Sequence, residues 1–351
     1  PIDSSGDLDG KPLADARGLA DLLKDDKRVG RCIVTQLYRH AIGRRDVPSR
    51  RSATAPDRAG TTNPLHWGMS GTEDWSFPED LQPKQAEQRF DLERVFDAMV
   101  AIRAEVPEDA FTAQTLGTER GGNGIVIRED GIVLTIGYLI TEAQTIWLTS
   151  NRGVVVPGYP LAYDQATGFG LIRALGSLGA PALARGSAVA ARRGDKILVV
   201  GHGGRRHALQ AKLSDKREFA GYWEYLLEEA LFTSPAHPEW SGAALVNEAG
   251  QLIGVGPLLV QEALEGRTVQ GNMAVPIDLL EPILEDLLTT GRSGFLPRPW
   301  LGMYAGEAEG QLMVGGVAAG GPAEKAGVRQ GDLIIDVAGK RGSTLAAFLR
   351  A

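Results

Sequence analysis

The sequence predicts a mainly β protein, an antiparallel sandwich or barrel, on three observations. Between residues 110 and 290, short apolar runs such as GIVIR, GIVLTI, TIWLTS and KILVV alternate with clusters of Gly, Asn and Asp. Two pairs of runs meet across turn signals, Glu129-Asp130-Gly131 and Asn151-Arg152-Gly153, which mark hairpins. The chain also holds 45 glycines against 6% aromatic residues, a composition of many tight turns and few helices.

Bulk properties narrow the function classes. A length of 351 residues suggests two or three domains. Hydrophobic content of 43% and charged content of 23% are ordinary for a soluble globular protein. A net charge of −7 argues against nucleic acid as a partner, which would call for a basic stripe. No apolar run reaches the roughly 18 residues of a membrane helix, so no integral membrane segment is expected. Cys32 is the single cysteine, which excludes an intrachain disulfide and a cysteine-based metal site. No cofactor is implied.

In chain order, residues 1–46 are expected to form a small helical segment, because Leu13–Leu23 and Val29–Ile42 carry helix-period apolar spacing. This stretch resembles the C-terminal helical module of planctomycete-type cytochrome proteins. No Cys-x-x-Cys-His haem motif accompanies it, so no redox function is carried over. Residues 47–82 have the Arg, Ser, Thr, Pro and Gly composition of a linker, within which Trp67 and Trp75 are candidates for docking. Residues 83–109 are expected to lead into the β region through one amphipathic helix over 83–105, with Phe90, Val95, Phe96, Met99 and Ile102 as its stripe. The β region, 110–290, closes on a helix from Ile277 to Thr289.

Residues 298–351 resemble a PDZ domain: WLGM opens the segment, and GQLMVGGVAAGGPAEKAGVRQGDLIIDVAGK follows in the order strand, turn, short helix, strand. The sequence ends inside the expected peptide-binding helix at Leu345–Ala351, so the PDZ domain is expected to be truncated, and a mid-sequence start at Pro1 points to a missing N-terminus. PDZ domains capture a peptide C-terminus by adding a strand to a sheet edge. The resemblance puts that strand at Gly310-Gln311-Leu312-Met313-Val314-Gly315, with Gly310, Leu312, Met313 and Val314 as peptide-binding candidates.

Three further segments carry a second resemblance. Gly131-Ile-Val-Leu-Thr-Ile-Gly-Tyr138-Leu-Ile is similar to G-x-x-L-T-x-A-H-V; Asp164-Gln-Ala-Thr-Gly168-Phe-Gly-Leu-Ile-Arg to D-x-x-T-D-L-A-V-L-K; and TSPAHPEWSGAALVNEAGQLIGV to T-D-A-x-x-N-P-G-N-S-G-G-P-L-V-N-x-x-G-x-V-I-G-I. Residues 88–351 thus resemble HtrA-type serine proteases. The resemblance implies a chymotrypsin-like double six-stranded β-barrel followed by the PDZ domain, with Ser241 at the nucleophile position. Tyr138 replaces the general-base histidine, Gly168 replaces the orienting aspartate, and Glu239 replaces the glycine whose N–H helps form the oxyanion hole. Asp164 reads as a turn residue. A phenol with a pKa near 10 is a poor acceptor for the serine proton, glycine has nothing to orient a base with, and a carboxylate opposes charge build-up at an oxyanion. Of the histidines, His237 lies on the serine's own loop and His202 and His207 flank a turn at Gly203-Gly204; all are read as surface or turn residues.

The leading expectation is therefore a pseudoprotease that binds peptides or unfolded protein segments, located in the periplasm or cell envelope and assembled as a homo-trimer, as the resemblance implies. An alternative is an active serine endopeptidase with Ser241 as nucleophile and a rearranged site. A redox-associated adaptor, resting on residues 1–46 alone, is a third.

Overall fold

In a computed structural model, the structure describes residues 6–8, 11–13, 75–221, 225–264, 267–295, 300–308, 310–337, 339–341 and 344–350. Apart from Leu13, which ends a strand, the helical expectation over Leu13–Leu23 and Val29–Ile42 lies outside these residues, as does the docking expectation for Trp67. The described part of the N-terminal segment is a small antiparallel pair, β1 (Gly6–Leu8) with β2 (Lys11–Leu13).

The stretch expected to be one amphipathic helix divides. Asp91 caps a short helix α1 (Leu92–Asp97), its carboxylate accepting from the amides of Glu93 and Arg94. The chain then turns into strand β3 (Met99–Glu105). Val100, Ile102 and Ala104 are buried while Arg103 is exposed, a period of two that the helix-spaced stripe concealed.

Six strands close the first barrel: β3, β4 (Glu119–Arg128), β5 (Ile132–Ile136), β6 (Thr145–Ser150), β7 (Val155–Tyr163) and β8 (Phe169–Ala174), hydrogen-bonded in the order β3-β4-β5-β8-β7-β6. A one-turn helix α2 (Ala113–Leu116) precedes β4. The barrel thus begins at Met99, before the boundary expected at 110. Both hairpins form where the sequence marks them, with Gly131 and Gly153 at positive φ in their turns.

The second barrel comprises β9 (Lys196–Val200), β10 (Ala208–Gly221), β11 (Tyr225–Ser234), β12 (Ala243–Val246), β13 (Leu252–Leu264) and β14 (Arg267–Pro276), closed in the order β10-β11-β14-β13-β12-β9. Closure removes unpaired edges, so each barrel keeps its own apolar interior. Val100, Ile102, Val133, Ile146, Leu148 and Ile172 fill the first and Val199, Leu209, Leu231, Leu245 and Ile253 the second, while a shared cluster that includes Phe96, Ile125, Leu134, Phe169, Val200 and Val275 packs the barrels together. Helix α3 (Glu281–Thr290) follows and buries Ile283, Leu284 and Leu287.

The last region contains β15 (Met303–Ala308), β16 (Gln311–Val317), α4 (Pro322–Lys325), β17 (Asp336–Val337), β18 (Lys340–Arg341) and α5 (Leu345–Arg350). Helix α5 packs against β10 and β11, and Arg350 contacts Glu218 there. At the other end of the region, Trp300 meets Phe111 edge-on, with ring centroids 6.1 Å apart. No helix among the described residues is long and apolar enough to cross a membrane.

Candidate functional site at the barrel junction

Strand β5 ends in a short turn that carries Tyr138, and the loop before β12 carries Glu239 and Ser241. Closure of the barrels brings these segments together. The Tyr138 hydroxyl lies 2.8 Å from Ser241 Oγ, a hydrogen bond between side chains 103 residues apart. Trp240 stands edge-on to the Tyr138 ring, 6.5 Å away. The serine hydroxyl is therefore engaged by a phenol, a group that is mostly protonated at neutral pH.

Gly168 reaches the same neighbourhood. Its carbonyl accepts from the Gly137 amide at 2.7 Å and its own amide donates to the Asp164 carbonyl at 2.8 Å. At φ +81° its backbone suits glycine, and it presents no side chain to position 138. Asp164 is a turn residue, as the sequence implied: its buried carboxylate accepts from the Thr167 amide and hydroxyl.

Glu239 is anchored twice. Its amide donates to His237 Nδ1 at 3.1 Å, so the N–H that an oxyanion would need is already committed. Its carboxylate accepts from the Trp75 indole N–H at 2.9 Å and lies 3.5 Å from His207 Nδ1. Burial disfavours this charge, but the bonds from His207 and Trp75 outweigh it and hold the carboxyl below its ordinary range.

His237 differs from the sequence reading. It is completely buried rather than at the surface, because the loop folds it under Trp75 and Phe77. Since Nδ1 accepts the Glu239 amide, Nε2 carries the proton and donates to the His207 carbonyl at 2.9 Å. Burial pushes its pKa down to about 4, and it stays neutral near pH 7. Both ring nitrogens are used, so His237 does not serve as a base for Ser241. His202 is also pushed down by burial.

Three residues that the sequence did not single out build the frame. Asn123, on β4, is buried; its amide donates to the Ser241 carbonyl at 2.8 Å and its side-chain Nδ2 to the Glu239 carbonyl at 2.9 Å. Its Oδ1 accepts from the His202 amide at 2.7 Å, so one side chain ties β4 to two loops of the second barrel. Gly242, at φ +76°, lets the chain pass over it: a Cβ there would lie 1.9 Å from the Asn123 carbonyl oxygen. Arg120 is buried, with Nη1 donating to the carbonyls of Tyr138 and Thr141 at 2.7 and 2.9 Å and Nη2 to Thr112 Oγ1 at 2.7 Å. Glu142 accepts from the amides of Phe111 and Thr112 beside it. The local sequence carries little signal for them: Arg120 and Asn123 stand in the stretch Glu119-Arg-Gly-Gly-Asn-Gly124, and Gly242 follows Ser241, with nothing to say which partners they meet.

The expected peptide-binding strand is corrected. Leu312 and Val314 are buried core residues, with 2% and 1% of their surface exposed. Both edges of β16 are occupied: one pairs with β15, and the other exchanges backbone hydrogen bonds with residues 331–334, including Ile334 N to Leu312 O at 2.9 Å. No peptide strand can add there, so Gly310, Leu312, Met313 and Val314 do not offer the edge assigned to them. Among the described residues β15 pairs only with β16, and its other edge lies beside α5, where the Leu345 amide donates to Glu307 Oε1 at 2.6 Å.

Two open surface grooves, of about 570 and 620 Å³, lie away from Ser241, around Arg94 and Arg152 and around Arg185 and Asp278.

Comparisons with known proteins agree with this architecture. A family model described as a trypsin-like peptidase domain matches residues 122–255, and one described as a PDZ domain matches residues 313–350. The chain is similar to the probable periplasmic serine endoprotease DegP-like of Chlamydia pneumoniae, 25% identical over 248 residues that cover 66% of this chain and 49% of that protein. It is similar to the serine endoprotease DegS of Haemophilus influenzae, 24% identical over 63% of this chain and 66% of that protein. The chain thus spans about half to two thirds of the length of these relatives. Among solved structures it resembles the HtrA-type protease AlgW with tripeptide, at a TM-score of 0.49 and 20% identity over 76% of this chain and 87% of that one.

Proposed function

Carrying a trypsin-like peptidase domain and a PDZ domain in that order, the chain belongs to the HtrA-type protease family, and we propose that it is a pseudoprotease that binds peptides or unfolded protein segments. One observation carries this reading: the Tyr138 hydroxyl bonds Ser241 Oγ at 2.8 Å, in the place where a base would take the serine proton. A phenol holds its own proton at neutral pH and gives the serine no route to an alkoxide. The missing carboxylate at Gly168 and the committed amide of Glu239 act in the same direction, on orientation and on oxyanion stabilisation. Loss of triad members costs on the order of a millionfold in turnover.

Peptide binding falls to the edge of β15 beside α5, which no second strand pairs among the described residues and where a peptide strand would add. The periplasmic designation of the DegP-like relative supports the same compartment for this chain.

Incubation with unfolded casein and with a serine-reactive fluorophosphonate tests both halves. The expected result is neither cleavage nor labelling, together with casein binding that a short apolar peptide with a free C-terminus displaces. Cleavage or labelling abolished by Ser241→Ala would establish the endopeptidase alternative instead. Absence of casein binding would remove the binding role.

A further inference from the structure

We infer that the segment Trp75–Gln82 is a latch that holds the Glu239–Ser241 loop in its present state, with the Glu239 amide committed to His237. The segment is itself fastened to the second barrel. The Phe77 amide donates to the Arg206 carbonyl at 3.0 Å, the Gln210 amide to the Leu81 carbonyl at 2.8 Å, and Gln210 Nε2 to the Gln82 carbonyl at 3.0 Å. Those contacts place the Trp75 ring in an aromatic box. It stands edge-on to His207 at 4.4 Å, to Phe77 at 5.3 Å and to His237 at 5.9 Å.

From that box the indole N–H donates to Glu239 Oε1 at 2.9 Å. Beside the Asn123 bond to its carbonyl, Glu239 is then fixed at two points, its carboxylate by Trp75, with His207 Nδ1 3.5 Å away, and its amide by His237 Nδ1. Two anchors on one residue fix the rotation of the intervening backbone, which neither does alone. The bond to the indole is charge-assisted and partly buried, the stronger class of hydrogen bond. Without it the carboxylate keeps only the longer 3.5 Å contact with His207 Nδ1 and gains by swinging into water, and the neutral bond to His237 alone holds the amide. Trp75 is thereby a positioning residue, acting on the loop through Glu239.

This goes beyond the pseudoprotease reading, which is carried by the Tyr138–Ser241 bond and shares with the latch only the committed Glu239 amide. The latch would hold the loop whatever residue occupies position 138.

Backbone hydrogen exchange of the full chain compares the unaltered protein with Trp75→Phe, which keeps a ring in the box and removes only the donor. The expected result is exchange at the Glu239 amide faster by about tenfold or more, the effect of losing one charge-assisted bond, with the β12 amides Ala243–Val246 unchanged. Equal exchange at Glu239 in both proteins would overturn the latch. So would an equal rise across β9 and β12, which would make Trp75 a packing residue. Neither outcome touches serine reactivity, so failure here is distinct from failure of the pseudoprotease reading.

Discussion

Truncating Asn123 to alanine should destabilise the protein far more than its exposed neighbourhood on the sequence would indicate. The side chain is 3% exposed and serves two loops: Nδ2 donates to the Glu239 carbonyl, and Oδ1 accepts from the His202 amide. Asn123→Ala strands both groups, while the Ser241 carbonyl keeps the Asn123 amide at 2.8 Å. A buried polar group left without a partner costs about 1–3 kcal/mol. Two such groups give a loss of about 2–6 kcal/mol, against a total stability of about 5–15 kcal/mol for a folded domain. For a unit of this size, about 2–4 °C per kcal/mol converts that loss to a fall in Tm of about 4–24 °C. Differential scanning calorimetry reads it directly. Asn123→Asp is the informative partner: it keeps an acceptor for His202 but turns a carboxylate toward two carbonyls, and it should fall at least as far as alanine. A loss below about 1 kcal/mol in Asn123→Ala, or an aspartate variant clearly more stable than the alanine one, would refute the assignment of Asn123 as the inter-barrel tie.

Three other outcomes are expected. Stability should decline as pH falls from about 6.5 toward 4: His237 is neutral when folded, with its pKa depressed to about 4, but takes up a proton near 6.5 when unfolded. Its contribution is complete above the unfolded value, and about 2 kcal/mol of it disappears by pH 5, measurable by urea titration at several pH values and smaller in His237→Gln. Gly242→Ala should cost more than about 4 kcal/mol, seen as loss of soluble protein or a collapsed Tm, because its Cβ would lie 1.9 Å from the Asn123 carbonyl oxygen at φ +76°. Leu312→Ala should cost about 2–5 kcal/mol by removing a buried core side chain; unchanged urea unfolding of the PDZ region would contradict its place in the core.

Much of this architecture is written locally. Glu129-Asp130-Gly131 and Asn151-Arg152-Gly153 specify their hairpins because the turn residues themselves carry the required φ; strand spacing points to an antiparallel sandwich or barrel, and the resemblance to HtrA-type proteases implies the two barrels. Tyr138 and Ser241 could be paired from motif order before any coordinate. The failures share a different cause. Residues 99–105 carry apolar positions compatible with two periods, and only pairing with β4 and β6 decides for a strand. Leu312 and Val314 read correctly as a strand, but which edge of it is open depends on where residues 331–334 return. His237 was placed on the right loop and at the wrong depth, since its burial depends on Trp75 and Phe77, some 160 residues earlier in the chain. Edge occupancy and burial are properties of the assembled fold, and a single segment does not encode them.

Arg120 grips the turn at position 138 by its main-chain carbonyl, independently of the side chain that the turn carries. That grip is blind to the identity of residue 138, whereas the ring it carries packs against two core clusters and Trp240 and places its hydroxyl on Ser241. Change at that position therefore alters the chemistry and the packing of the ring while the backbone turn keeps its anchor. The same blindness does not extend to Arg120. A lysine has three donors on one nitrogen instead of a planar fork, and it could not span the carbonyls of Tyr138 and Thr141 together with Thr112. The grip's tolerance at one position is underwritten by its intolerance at another.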